Sequence, residues 1–124
     1  MKFRISAILS TPIVAACLLT GCGDKPAPEP ISATEVPKTL DSAFNSASAE
    51  TKAAAAAAKE ALQKDEQSLA LEALEALARK SDLTPEQREA AGKAALSVRA
   101  GILDAANKGD AAAKAYLEEQ RARK

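Results

Sequence analysis

The residue best placed to do chemistry in this chain is Cys22. Before it runs Ile5 to Leu19, mostly apolar and interrupted by Ser, Thr and Pro12; after it the sequence turns polar and proline-rich. A sulfur carried close to a bilayer by such a run is a usable nucleophile once ionised. Cys17, the one other cysteine, lies inside the apolar run. Histidine is absent, which removes the commonest metal ligand and the commonest general base. A zinc site would have to be built from carboxylates alone. Glu118 and Glu119 form a carboxylate pair, but neighbours on a helix point apart and cannot share a proton or a substrate. The sequence therefore offers no catalytic, cofactor-binding or metal residues, and the expectation is a protein that is not an enzyme.

The elements around Cys22 say what its thiol is for. Lys2 and Arg4 give a basic start, and the apolar run after them is shorter than the ~20 residues a membrane-spanning helix needs. Residues 1–21 thus read as a secretory signal ending in small Gly21. Leu19-Thr20-Gly21-Cys22 resembles the lipobox of bacterial lipoprotein precursors. The resemblance implies that Cys22 receives a diacylglycerol and that a signal peptidase cuts before it. It also implies that the new amine is acylated. Two or three acyl chains anchor stably where one does not, at ~0.8 kcal/mol per buried methylene. An ordinary secretory signal with an incidental cysteine is the alternative. Loss of Cys17 with the signal leaves one blocked thiol, so no disulfide forms and helix packing must supply stability. In enterobacterial lipoproteins an Asp directly after the cysteine favours the inner membrane. Here Gly23 holds that place and Asp24 comes one later, which points to the periplasmic face of the outer membrane where two membranes exist.

Composition narrows the partners. Without Lys2 and Arg4 the chain carries 15 basic against 17 acidic residues, a net charge of −2. That is no basic field for nucleic acid. Phe44 and Tyr116 are the only aromatic residues after Cys22, so stacking platforms for bases, sugars or haem are missing. The expected partners are membrane lipid, through acylated Cys22, and an envelope protein. Alanine dominates the apolar residues, so the core should be thin and its stability modest.

Residues 22–37 contain Lys25-Pro-Ala-Pro-Glu-Pro30 and Val36-Pro37. Proline removes backbone donors and biases its neighbours to extended geometry. This segment reads as a semi-extended spacer of up to ~3.1 Å per residue that holds the folded part off the membrane.

Residues 38–124 read as an alanine-rich α-helical domain, all-α, an antiparallel hairpin or bundle of three to four helices. Thr39 or Asp41 would cap the first helix. Its stripe is Leu40, Phe44, Ala47, Thr51, Ala54, Ala58 and Ala61, at alternating spacings of four and three. Such a stripe either docks another helix closely or belongs to a solvated spacer helix. A break is expected at Gln63 to Gln67, with Asp65 capping the next helix. Leu69 to Arg79 is the most apolar helix, with Ala70, Ala73, Leu74 and Leu77 on its buried face. Thr84-Pro85-Glu86-Gln87 has the form of a capping box with proline at the first helical position. The helix it opens runs to about Lys108, with Ala91, Ala95, Val98, Ile102 and Ala105 as its stripe and Leu96 and Leu103 at the flanks. Gly92 and Gly101 lie inside it, each disfavoured by ~1 kcal/mol against alanine. Gly109 ends it, Asp110 caps the last helix, and Ala113, Tyr116 and Leu117 fold back on the pair. The basic end Arg121 to Lys124 is expected to fray. Acid-first pairs four apart (Glu60–Lys64, Glu75–Arg79, Glu89–Lys93, Asp104–Lys108, Asp110–Lys114, Glu119–Arg123) mark solvated faces.

Three resemblances bear on the helical part. Leu83-Thr84-Pro85-Glu86-Gln87 with Gly109-Asp110 and the alanines after it resembles small, uncharacterised alanine-rich helical lipoproteins of the bacterial envelope, which implies a helical domain and no activity. Ala105 to Ala113 and then Leu117 is similar to part of a Sel1 or tetratricopeptide helix pair, without a second copy at a regular period. The lipobox, the alanine heptads and terminal Arg123-Lys124 are similar to murein lipoprotein, whose last lysine is joined to peptidoglycan. Pro85, Gly101 and Gly109 interrupt the single long coiled coil that family has. The functional expectation is a membrane-anchored interaction or scaffold protein. A structural lipoprotein linking membrane to wall, or an accessory or inhibitory subunit of an envelope enzyme, is the alternative.

Overall fold

Apolar stripes on several short helices have one economical solution, which is to face one another around a common axis. The computed structural model describes residues 26–124, and there the chain adopts that solution. The described residues form five helices and no strand. They are α1 (Val36–Phe44), α2 (Ala49–Gln63), α3 (Gln67–Ala78), α4 (Pro85–Asn107) and α5 (Ala111–Ala122). α1 packs on α2, α2 on α3, α3 on α4, and α4 returns to α1. The turns between them are short and successive helices run antiparallel, so the first four close an up-down-up-down ring. α5 lies outside the ring against α4. The all-α expectation holds, with five helices in place of three to four.

The extra helix comes from a break within the first stretch. One helix was expected from Leu40 to Ala61, but the chain leaves helix after Phe44 and re-enters at Ala49. Ser48 caps the new start, its Oγ accepting from Thr51 N–H at 3.3 Å. Asn45, Ser46 and Ser48 are of types disfavoured inside helices, because such side chains compete for backbone groups, and Ser48 does so here. The stripe concealed the break because both pieces keep their apolar face inward. Leu40, Phe44, Thr51, Ala58 and Ala61 are all buried. The helix also starts earlier than expected. Neither Thr39 nor Asp41 caps it, because both lie inside α1, and Val36 and Pro37, assigned above to the spacer, form its first turn. Val36 is 1% exposed, and its burial is what draws that turn out of the spacer.

The break between Gln63 and Gln67 is present. Asp65 is not the cap, however. It takes φ +59° and closes α2: Glu66 N–H donates to Ala61 O at 2.9 Å and Asp65 N–H to Leu62 O at 3.1 Å. That is the Schellman pattern, which satisfies carbonyls left over at a helix end. Gly109 does the same for α4 at φ +101°, with Asp110 N–H on Ala105 O and Gly109 N–H on Ala106 O.

Thr84 and Gln87 form the expected reciprocal box, at 3.2 Å and 3.1 Å. Asp110 caps α5 by accepting from Ala113 N–H at 2.7 Å. Arg121 and Ala122, expected to fray, remain helical. The core is centred on Leu40, Leu74, Leu77 and Ile102, with alanines filling the close approaches. The α2 stripe docks on α3 and so is no solvated spacer. In α4 the buried line is Ala90, Ala91, Ala94, Val98, Ile102 and Ala106. Ala95 and Ala105, assigned to the stripe above, are only partly buried. Nearly every candidate position there is alanine, so periodicity alone could not choose between Ala94 and Ala95.

Candidate functional site

Cys22, the lipobox and the whole of residues 1–21 lie outside the described residues. The structure does describe how the proline-rich segment reaches the folded body. Ile31 packs against the core, and its carbonyl accepts a hydrogen bond from the Ser97 hydroxyl of α4. Ser32 to Glu35 then turn, with Glu35 N–H donating to Ser32 O at 2.8 Å, and Val36 enters the ring. Val36, Leu62, Gln67 and Ser97 line one cleft. The entering segment therefore joins the bundle at the end that carries the α2–α3 turn.

The opposite end is held by polar side chains. Thr51, 1% exposed, donates its hydroxyl to Asp82 Oδ2 at 3.0 Å and receives the Ser48 hydroxyl at 3.0 Å. Lys80 Nζ sits 2.7 Å from Glu50 Oε1 and 4.0 Å from Asp82 Oδ1. The Thr51 hydrogen bond, more than the nearby Lys80 charge, holds the Asp82 carboxyl below its ordinary pKa. Glu50 raises that of Lys80, chiefly by accepting its hydrogen bond. These groups fasten the start of α2 to the loop between α3 and α4. They carry no free nucleophile or base and read as a structural clasp.

α5 adds relief of its own. Ala113 is buried and Tyr116 and Leu117 are partly buried against the ring, as expected from the sequence. Tyr116 has its hydroxyl pKa raised by burial first and by Glu72 and Glu75 next. A cleft of about 340 Å³ opens beside the first turn of α5, and another lies along its second half. Leu69 and Leu103 are the large apolar side chains left exposed among the described residues, at 55% and 45%. Leu69 was named only as the start of the most apolar helix, and its sequence position gave no sign that it is exposed. Leu103 was placed at the flank of the α4 stripe and is on the open edge.

Other charges behave as solvated faces. Glu60–Lys64, Glu89–Lys93, Asp104–Lys108 and Glu119–Arg123 pair along their helices. Glu75 instead crosses from α3 to Arg99 of α4, and Asp110 caps its helix instead of meeting Lys114. Glu118 and Glu119 do not converge: Glu119 turns to Arg123 and Glu118 is exposed. Among the described residues no cluster of Asp, Glu, His or Cys has the arrangement of a metal site. No buried side-chain polar atom there lacks a hydrogen-bond partner. No helix there is long and apolar enough to cross a membrane.

Comparison with protein-family models, with curated proteins and with solved structures returns no match.

Proposed function

We propose that this chain is a lipid-anchored protein of the bacterial envelope that acts by binding or scaffolding and performs no catalysis. The observation that carries the proposal is Leu19-Thr20-Gly21-Cys22 at the end of a short apolar run, with a proline-rich segment and then a helical body after it. Acylation of Cys22 holds the body at a membrane surface, on the periplasmic side of the outer membrane in a cell with two membranes. Support for a binding role comes from the body itself. Many of its charges are paired along or between helices, and its relief includes two shallow clefts beside α5.

Wall linkage through Lys124 is the second reading. Its support is Lys124, exposed just beyond the end of α5. The folding back of α5 on α4 favours the scaffold over it, because a linker gains reach by extending.

Metabolic labelling with palmitate tests the anchor. Wild-type chain should take up label and sediment with membranes; Cys22→Ala should do neither. Label persisting in Cys22→Ala overturns the anchor. Release of Lys124 bound to a muropeptide after wall digestion replaces the scaffold with the linker.

A further inference from the structure

We propose that the face built around α5 pairs two copies of this chain about a two-fold axis. The two clefts lie one after the other along that helix. The first has Leu69 and Ala112 in its lining, and every charged side chain in that lining is a carboxylate: Asp65, Glu66 and Asp110. The second has Leu103 and Leu117, with Arg99, Arg121 and Lys124 as its cations and Glu75 as its acid. Ile102, buried in the core, lies beneath both, and both open along the same helix, α5. Each holds one of the two exposed leucines.

Charge along this face runs one way, from acidic to basic. Arg99 is taken up by Glu75. Asp65, Glu66, Arg121 and Lys124 make no ion pair among the described residues. A face that is acidic at one end and basic at the other is complementary to itself once reversed. A two-fold rotation makes that reversal, and self-complementary patches are the rule in symmetric dimers. The rotation lays the first cleft of one copy on the second cleft of the other. Asp65 and Glu66 then face Arg121 and Lys124 of the partner subunit, and the leucines are covered between them. Buried apolar surface supplies the attraction, and the charges choose the register. A purely basic partner would match the first cleft and be repelled by the second, so a second copy is the occupant that fits both.

The test is sedimentation equilibrium of the full chain in density-matched detergent, with two charge-reversed variants. One carries Asp65→Lys and Glu66→Lys; the other carries Arg121→Glu and Lys124→Glu. Wild type should be a dimer. Each variant alone should dimerise at least ~10-fold more weakly, because like charges then meet twice. An equal mixture of the two should regain dimers, since both contacts become complementary again. Circular dichroism shows whether each variant keeps its helix. Leu103→Asp, a single change on the open edge, should weaken the dimer as well and serves if a charge variant unfolds. A monomeric wild type across the micromolar range overturns the proposal. So do charge variants that pair as tightly as wild type, or a mixture that grows into chains instead of dimers. The inference stands on the folded body and not on the anchor: lost palmitate labelling leaves it intact, and a monomer leaves the anchor intact.

Discussion

The hydroxyl of Thr51 donates to Asp82 Oδ2 at 3.0 Å across thirty-one positions of sequence. It ties the first turn of α2 to the loop that leaves α3. Thr51 is buried at 1% exposure, whereas the Asp82 side chain is 51% exposed. Thr51→Val keeps the shape and removes the donor. The substitution also removes the acceptor of the Ser48 hydroxyl, but Ser48 and Asp82 both reach water, so the net cost of the two bonds stays at about 1 kcal/mol. A fall in melting temperature of roughly 4–8 °C is expected for a domain of this size. Calorimetry checks it, and a melt that did not move would remove the clasp from the account of stability.

The same bond sets an acid limb. Asp82 titrates below its ordinary value because the Thr51 hydroxyl stabilises the carboxylate. Its contribution is complete above the unfolded carboxyl value of about 3.9 and disappears as pH falls through the lower folded value. Stability should therefore drop below about pH 4. Asp82→Asn should flatten that limb relative to wild type. Urea melts at a series of pH values read the difference.

Two glycines separate by environment. Gly92 lies inside α4, and a Cβ built there meets nothing within 4 Å. Gly92→Ala should stabilise by about 1 kcal/mol, the difference in helix propensity. Gly109 also has open space, but its φ is +101°. Gly109→Ala should destabilise by about 1–2 kcal/mol, because a side chain there is strained by the left-handed backbone. Opposite signs in denaturant midpoints are the expected result; equal signs would contradict the turn.

The alanines of α2 differ by face. Ala58 is fully buried while Ala57 is exposed. Ala58→Leu forces extra methylenes into the α2–α3 contact and should cost about 1–3 kcal/mol. Ala57→Leu should change stability by less than about 0.5 kcal/mol. Thermal melts of the pair test whether the stripe docks as described.

Much of this body was legible from residue types because its signals are local. The box at Thr84 and Gln87, the stop at Gly109 and the cap at Asp110 each depend on atoms within one turn of helix. The apolar face of α3 was legible for the same reason, since Leu74 and Leu77 stand out among alanines. The loop at Asn45 to Ser48 was hidden because a heptad stripe carried on through it. In α4, Ala91, Val98 and Ile102 are buried as expected, while Ala95 and Ala105 stand one position from the buried Ala94 and Ala106, because alanines look alike until a partner helix chooses one. Of the candidate site, Cys22 lies outside the described residues and stands on the sequence alone, while the clefts beside α5 were not legible there. Asp65, Glu66 and Leu69 line one of these clefts and Lys124 the other only because α5 folds back.

By itself the sequence determined that the chain is helical after its proline-rich segment, where most helices end, and that its apolar core would be thin. These outcomes come from propensity, capping and composition, which act over a few residues. Only the tertiary structure decided that four helices close a ring, that Val36 belongs to it, that Glu75 reaches Arg99 across it, and that α5 stays outside. Those arrangements depend on which of many near-equivalent alanine faces meet. That choice is made by packing between distant segments, which no local pattern encodes.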